Sequence, residues 1–196
     1  MVEVMQNISN LSYIGSKKVI NMKSEVLFRE AEDDFFYFNK INSALKKLEE
    51  AVKLTPSHTK SLMLCADIHF MKGNIKKALC LYQMAQNYGQ DSARVVASIA
   101  NCFYALKEYS DAVSFVDKAI SILKNEDYSL YSQLIEIKIN ALVEMKKYKQ
   151  AYITFIQSQN VLDVISLKNI YNSNYELINE KLHLQKKLRQ SRLKIV

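Results

Sequence analysis

The sequence predicts an all-α solenoid of about four helix-turn-helix repeats with a C-terminal capping helix. Three observations carry this expectation. Ala44, Ala78 and Ala112 recur at intervals of 34 residues and Ala151 follows after 39, a period typical of stacked helical repeats. Only three Gly and one Pro occur in 196 residues, too few for the turns of a sandwich or barrel. Apolar residues recur at helical spacing among abundant Leu, Ala, Lys, Gln and Ile, which favour helix over strand.

Taken in order, residues 1–24 have no clean apolar period and read as a leader, either a short helix on the first repeat or a mobile segment. Four frames then fill 25–165, at 25–58, 59–92, 93–126 and 132–165. In the second, Leu62, Cys65, Ala66 and His69 mark a first helix, Lys72-Gly73-Asn74 a turn, and Ala78, Tyr82 and Ala85 a second helix. The third repeats this with Val96, Ile99, Ala100 and Phe103, then Lys107-Glu108-Tyr109, then Ala112, Val116 and Ala119. The first frame is less regular, with Glu32 at the small position. The fourth keeps Ile135, Ile139 and Leu142 and places its extra residues around 125–129 as a longer loop or an extended helix. Residues 166–196 form a basic helical pattern that reads as a cap on the last repeat.

The joint pattern of the second and third frames resembles the tetratricopeptide repeat (TPR) family. Ala66 and Ala100 match the position where that family brings its two helices together; Ala78, Ala112 and Ala151 match its small second-helix position, Tyr82 and Phe155 its aromatic one, and Pro56 its closing proline. The resemblance covers about 140 residues and implies a right-handed α-α superhelix whose first helices line a concave groove. The second and third units also resemble, loosely, the translocator chaperones of type III secretion, through Ala100-Asn101-Cys102 before Phe103.

Carried onto this chain, the groove wall implied by the family includes Phe36 and Tyr37, then Met63, Asp67 and Phe70, then Arg94, Asn101 and Tyr104, then Glu136 and Asn140. Aromatic, thioether and amide side chains suit a partner peptide or helix. Phe36, Phe70 and Tyr104 read equally as core packing or as ligand contacts. Asp33 and Asp67 stand where carboxylate-clamp repeats carry Asn and basic donors, which argues against a clamp for a C-terminal carboxylate.

The net charge of +7 is unevenly spread: residues 25–165 carry 17 basic and 17 acidic side chains, whereas residues 166–196 carry seven and two. The expected function is therefore a noncatalytic protein-binding adaptor or chaperone, with another protein as partner and nucleic acid not expected. The alternative is a scaffold that meets an anionic membrane or nucleic acid through the basic C-terminal helix. His58, His69 and His183 have no acidic or thiol partner at a catalytic or metal-binding offset, and no Gly-rich phosphate loop exists. No enzyme activity, catalytic residue, cofactor or metal is expected. Cys65, Cys80 and Cys102 read as small core residues of a reduced compartment. A cytoplasmic protein is expected from the lack of a signal-peptide pattern or of 18 consecutive apolar residues.

Overall fold

A computed structural model describes residues 2–89, 92–123, 127–158 and 178–183, with side chains described from residue 17 onward. The helices are α1 (Val2–Phe36), α2 (Ile41–Leu54), α3 (Thr59–Met71), α4 (Ile75–Asn87), α5 (Ala93–Ala105), α6 (Tyr109–Ile122), α7 (Tyr128–Glu144) and α8 (Tyr148–Ser158). Residues 178–183 are helical as well, and no strand occurs among the described residues. The helices pair in sequence, α1 with α2 and α3 with α4 in one compact unit (Met1–Gln90), α5 with α6 and α7 with α8 in a second (Asp91–Val196).

Each hairpin is held at a small second-helix residue. Ala44, Ala78, Ala112 and Ala151 are all fully buried, because a larger side chain would hold the helix axes apart. Opposite them on the first helices stand Ala31, Ala66, Ala100 and Ile139, also fully buried. The last three pairs share one sequence spacing, but Ala31 and Ala44 lie one residue further apart. The turn between α1 and α2 has four residues where the others have three, so counting back from Ala44 lands on Glu32 when Ala31 fills the position.

The turns reverse through one residue in the left-handed region: Asn39 (φ 52°), Gly73 (77°), Lys107 (64°) and Lys146 (59°). In the last three, the positive-φ amide and the next one close onto carbonyls of the preceding helix, as in Lys107 N–H to Tyr104 O (2.9 Å) and Glu108 N–H to Phe103 O (2.9 Å). This arrangement satisfies helix-end carbonyls and stops the helix sharply. Glycine suits the position, yet only Gly73 uses it. The first helices, in contrast, begin with side-chain caps: His58 for α3, Ser92 for α5 and Asp127 for α7.

One expectation changes here and one open alternative closes. The leader does not stop before the first repeat: residues 2–24 run without a break into α1, and its end is tied down where Ser24 Oγ bonds Thr55 Oγ1 (2.8 Å) and Ala51 O (3.3 Å) at the end of α2. Of the two placements expected for the extra residues of the fourth repeat, the extended first helix is the one found: α7 starts at Tyr128, under an Asp127 cap. Cys65 and Cys102 are buried, but Cys80 is exposed on α4; burial pushes the Cys65 thiol up to about 11.

The core of the first unit joins Phe28 and Ala31 to Ala44 and Leu48, and these to Leu64, Cys65 and Ile68. In the second unit Ala97 and Ala100 pack with Val116, Ala119, Leu130 and Leu134. A further cluster joins Ile135, Ile139 and Leu142 to Ala151, Phe155 and Ile178, with Leu182 against it. Ile178 and Leu182 thus lay one helical turn of the C-terminal segment on α7 and α8. The rest of the expected basic helix, 166–177 and 184–196, lies outside the described residues. No described helix is long and apolar enough to cross a membrane.

An ion pair between a buried Asp34 and a half-buried Lys47 links α1 to α2: Lys47 Nζ lies 2.8 Å from Asp34 Oδ2, which also accepts from Ser43 Oγ at 2.6 Å. Lys47 and then Ser43 hold the Asp34 carboxyl below its ordinary value. A carboxyl with a lowered folded pKa stabilises above its unfolded pKa, near 3.9, and loses that contribution as pH falls through the folded value. Urea titrations below about pH 4 should therefore show a smaller acid-dependent loss of stability in Asp34→Asn than in the wild type.

At Gly73 an added Cβ meets nothing within 4 Å, so its cost is that of the φ angle alone. Gly73→Ala should destabilise by about 1 kcal/mol and Lys107→Gly should stabilise by a similar or smaller amount. Urea midpoints check both, and equal midpoints for all three proteins would rule the turn conformation out as a source of strain.

Candidate partner-binding site

The residues expected to line a groove come from the first helices, and the two units treat them differently. In the first unit, polar residues of α1 and α3 largely satisfy one another. Glu25 accepts from Lys60 Nζ (3.0 Å) and from His58 Nε2 (3.1 Å), and Arg29 Nε lies 3.6 Å away. Lys60 first and His58 second hold the Glu25 carboxyl below its usual range. His58 Nδ1 faces Ser61 (Oγ 2.7 Å, N–H 3.4 Å). Accepting that amide puts the ring proton on Nε2, pointing at Glu25. Phe28 meets the His58 ring edge-on at 5.7 Å.

Further along α3, Met63, Asp67 and Phe70 share a face at helical spacing. Met63 and Phe70 are half-buried and Asp67 is exposed. Asp67 accepts a short hydrogen bond from the hydroxyl of Tyr82, whose ring is buried on α4; its carboxylate thus braces its own hairpin. His69 is buried, and burial lowers its pKa, which keeps it neutral. Phe36 and Tyr37 stand apart from this face. Phe36 is the last residue of α1, 64% exposed and edge-on to Phe35 (4.8 Å), and Tyr37 is 79% exposed in the turn.

The second unit assembles a more open constellation. Tyr104, near the end of α5, stacks at a tilt on Tyr109 of α6, with ring centroids 5.7 Å apart. The Tyr109 hydroxyl donates to Glu144 Oε2 of α7 at 3.5 Å. Burial, then the charge of Glu144, then Tyr109 and Glu136, raise the Tyr104 phenol above its ordinary value. Tyr109 is raised by burial and by Glu144. Glu136, Asn140 and Glu144 follow one another at four-residue steps along α7, and Asn101 lies one turn before Tyr104 on α5. Asn101, Tyr104 and Asn140 are half-buried, while Glu136 is exposed. Arg94, at the start of α5, has its guanidinium 3.6 Å from Asp127, the residue that caps α7.

Sequence reasoning passes over Tyr109, which reads as part of a turn. It also groups Arg94 with the wall, although its partner sits at the start of α7. A Tyr five residues after Tyr104, across a three-residue turn, is the available signal for a ring pair. Among the described residues no group of three His, Cys, Asp or Glu could hold a metal ion.

Comparison with known proteins sets these hairpins in context. A family model described as anaphase-promoting complex, cyclosome, subunit 3 matches residues 38–119, from the first turn to the last residues of α6. Among solved structures, the first TPR of Spaghetti (RPAP3) bound to the HSP90 peptide SRMEEVD is 15% identical, with a TM-score of 0.56 over 63% of this chain and 95% of that one. The hairpins have the tetratricopeptide-repeat fold. Other TPR structures align over more of this chain. YrrB, a TPR protein with an unusual peptide-binding site, is 16% identical, with a TM-score of 0.54 over 82% of this chain and 90% of its own. MamA from Desulfovibrio magneticus RS-1 is 9% identical, with a TM-score of 0.64 over 86% and 96%. At these identities the likeness is one of fold.

Proposed function

We propose that this chain, with its tetratricopeptide-repeat fold, is a protein-binding adaptor whose second unit takes a partner segment against α5 and α7. The observation that carries this reading is the Tyr104–Tyr109–Glu144 arrangement beside Glu136. It combines half-buried aromatic rings with carboxylates on one face, while Arg94 pairs with Asp127. Rings give contact area at low entropic cost. Exposed carboxylates beside these rings favour a partner that carries Lys or Arg, since charge-assisted hydrogen bonds are about twice as strong as neutral ones. Asn101 and Asn140 flank the rings and suit hydrogen bonding to a peptide backbone. The partner is thus a basic segment, extended or helical, held without covalent chemistry.

Two fold relatives support the reading in kind: the first TPR of RPAP3 is bound to an HSP90 peptide, and YrrB has an unusual peptide-binding site. The acidic HSP90 peptide SRMEEVD is not a suitable ligand for a face carrying Glu136 and Glu144, in line with the expectation against a carboxylate clamp.

A random peptide display selected on the full chain tests this. Enriched sequences should carry Lys or Arg. Tyr104→Ala with Glu144→Gln should weaken the selected peptides by about tenfold or more, as loss of a hot spot does, with helicity by circular dichroism nearly unchanged. Enrichment of acidic peptides, or loss of fold without a separable binding effect, would remove the reading and assign Tyr104 to the core.

A further inference from the structure

The first unit carries a feature that adaptor function on α5 and α7 does not use. Phe36, Tyr37 and Phe38 are consecutive and exposed to 64%, 79% and 61% of their surface. Met71, at the end of α3, is exposed to 69%. The two turns lie side by side, since Lys72 Nζ reaches Asn42 Oδ1 at 3.3 Å and Lys40, Asn42 and Lys72 line one shallow depression. Protein surfaces rarely leave so many large apolar side chains adjacent without a use.

The charge around them is basic. Lys40 holds its ammonium 5.0 Å from the centre of the Phe38 ring. Lys72 adds a second cation, and neither α2 nor α4 has an acidic residue in its first turn. Asp34 is already engaged by Lys47 and Ser43, which leaves Asp33 as the exposed acid closest in sequence. Phe36 ends α1, while Tyr37 and Phe38 lie in the turn outside the regular helix. The three rings therefore do not form one flat stripe that a partner helix could cover. A lipid interface requires no fixed side-chain register, favours Tyr and other aromatics at headgroup depth, and draws lysines to anionic headgroups.

We propose that the α1–α2 turn, with Met71 and Lys72 beside it, is a docking tip for an anionic lipid bilayer. Phe36, Tyr37, Phe38 and Met71 enter the interface while Lys40 and Lys72 meet the headgroups. This stands independently of the peptide face, which lies in the other unit.

The chain contains no Trp, so Tyr37→Trp in the full-length protein reports on this turn alone. Its emission should shift to the blue on phosphatidylcholine vesicles containing phosphatidylserine, not on phosphatidylcholine alone, and should return with added salt. Adding Lys40→Gln and Lys72→Gln should weaken vesicle binding by roughly twenty-five-fold, at about fivefold for each lysine. Phe36→Ser with Phe38→Ser should weaken it further without altering the circular dichroism spectrum, since both side chains are exposed. An emission maximum that does not move overturns the proposal. So does co-sedimentation with vesicles while the introduced indole stays in water, which would assign lipid binding to another segment. A shift produced by a protein partner and by no vesicle would also overturn it.

Discussion

Everything in this protein depends on how closely two helices approach inside each hairpin. Ala44, Ala78, Ala112 and Ala151 are fully buried, facing a first helix that is itself small at Ala31, Ala66 and Ala100. A close approach lets the backbone turn in three or four residues, and that sharp reversal forces one residue into the left-handed region. Three of the four hairpins accept that strain on Asn39, Lys107 or Lys146 and not on glycine. The packing of the hairpin therefore outweighs a local preference of about 1–2 kcal/mol.

The same constraint places the functional side chains. With the buried side of each first helix committed to its hairpin, the remaining residues of α5 and α7 are held at fixed helical steps. Tyr104 can then reach Tyr109 across the turn, and Tyr109 can reach Glu144 on the next hairpin. The tie is reinforced at the far end by Arg94 on Asp127. In the first unit the equivalent residues neutralise one another at Glu25, and large apolar side chains stay exposed both at the α1–α2 turn and along α1 at Val19, Met22 and Val26.

The repeat, its two-helix units and the second-helix alanines were legible because packing at one small residue imposes a period that no side-chain detail blurs. The register of the first hairpin was not: one added turn residue moves the small position from Glu32 to Ala31, and a fixed period cannot register such an insertion. The merging of residues 2–24 into α1 was hidden for a related reason, since that segment has little apolar periodicity and gains its anchor from two hydroxyls, Ser24 and Thr55. Cys80 was misplaced because a small apolar residue on a helix suits either face. Of the wall residues, spacing could place Tyr104, Glu136 and Asn140 on first helices, but partners such as Tyr109 and Asp127 depend on turn geometry, which periodicity does not encode.

The most direct measurement is hydrogen exchange of the second unit in Ala112→Leu against Ala105→Leu. Ala112 is fully buried and Ala105 is exposed on the adjoining helix. Overpacking at Ala112 should cost about 1–3 kcal/mol and lower amide protection through α5, α6 and α7 together, while Ala105→Leu leaves it unchanged. Equal protection in the two variants would contradict the claim that close helix contact at the recurring alanine holds the unit together.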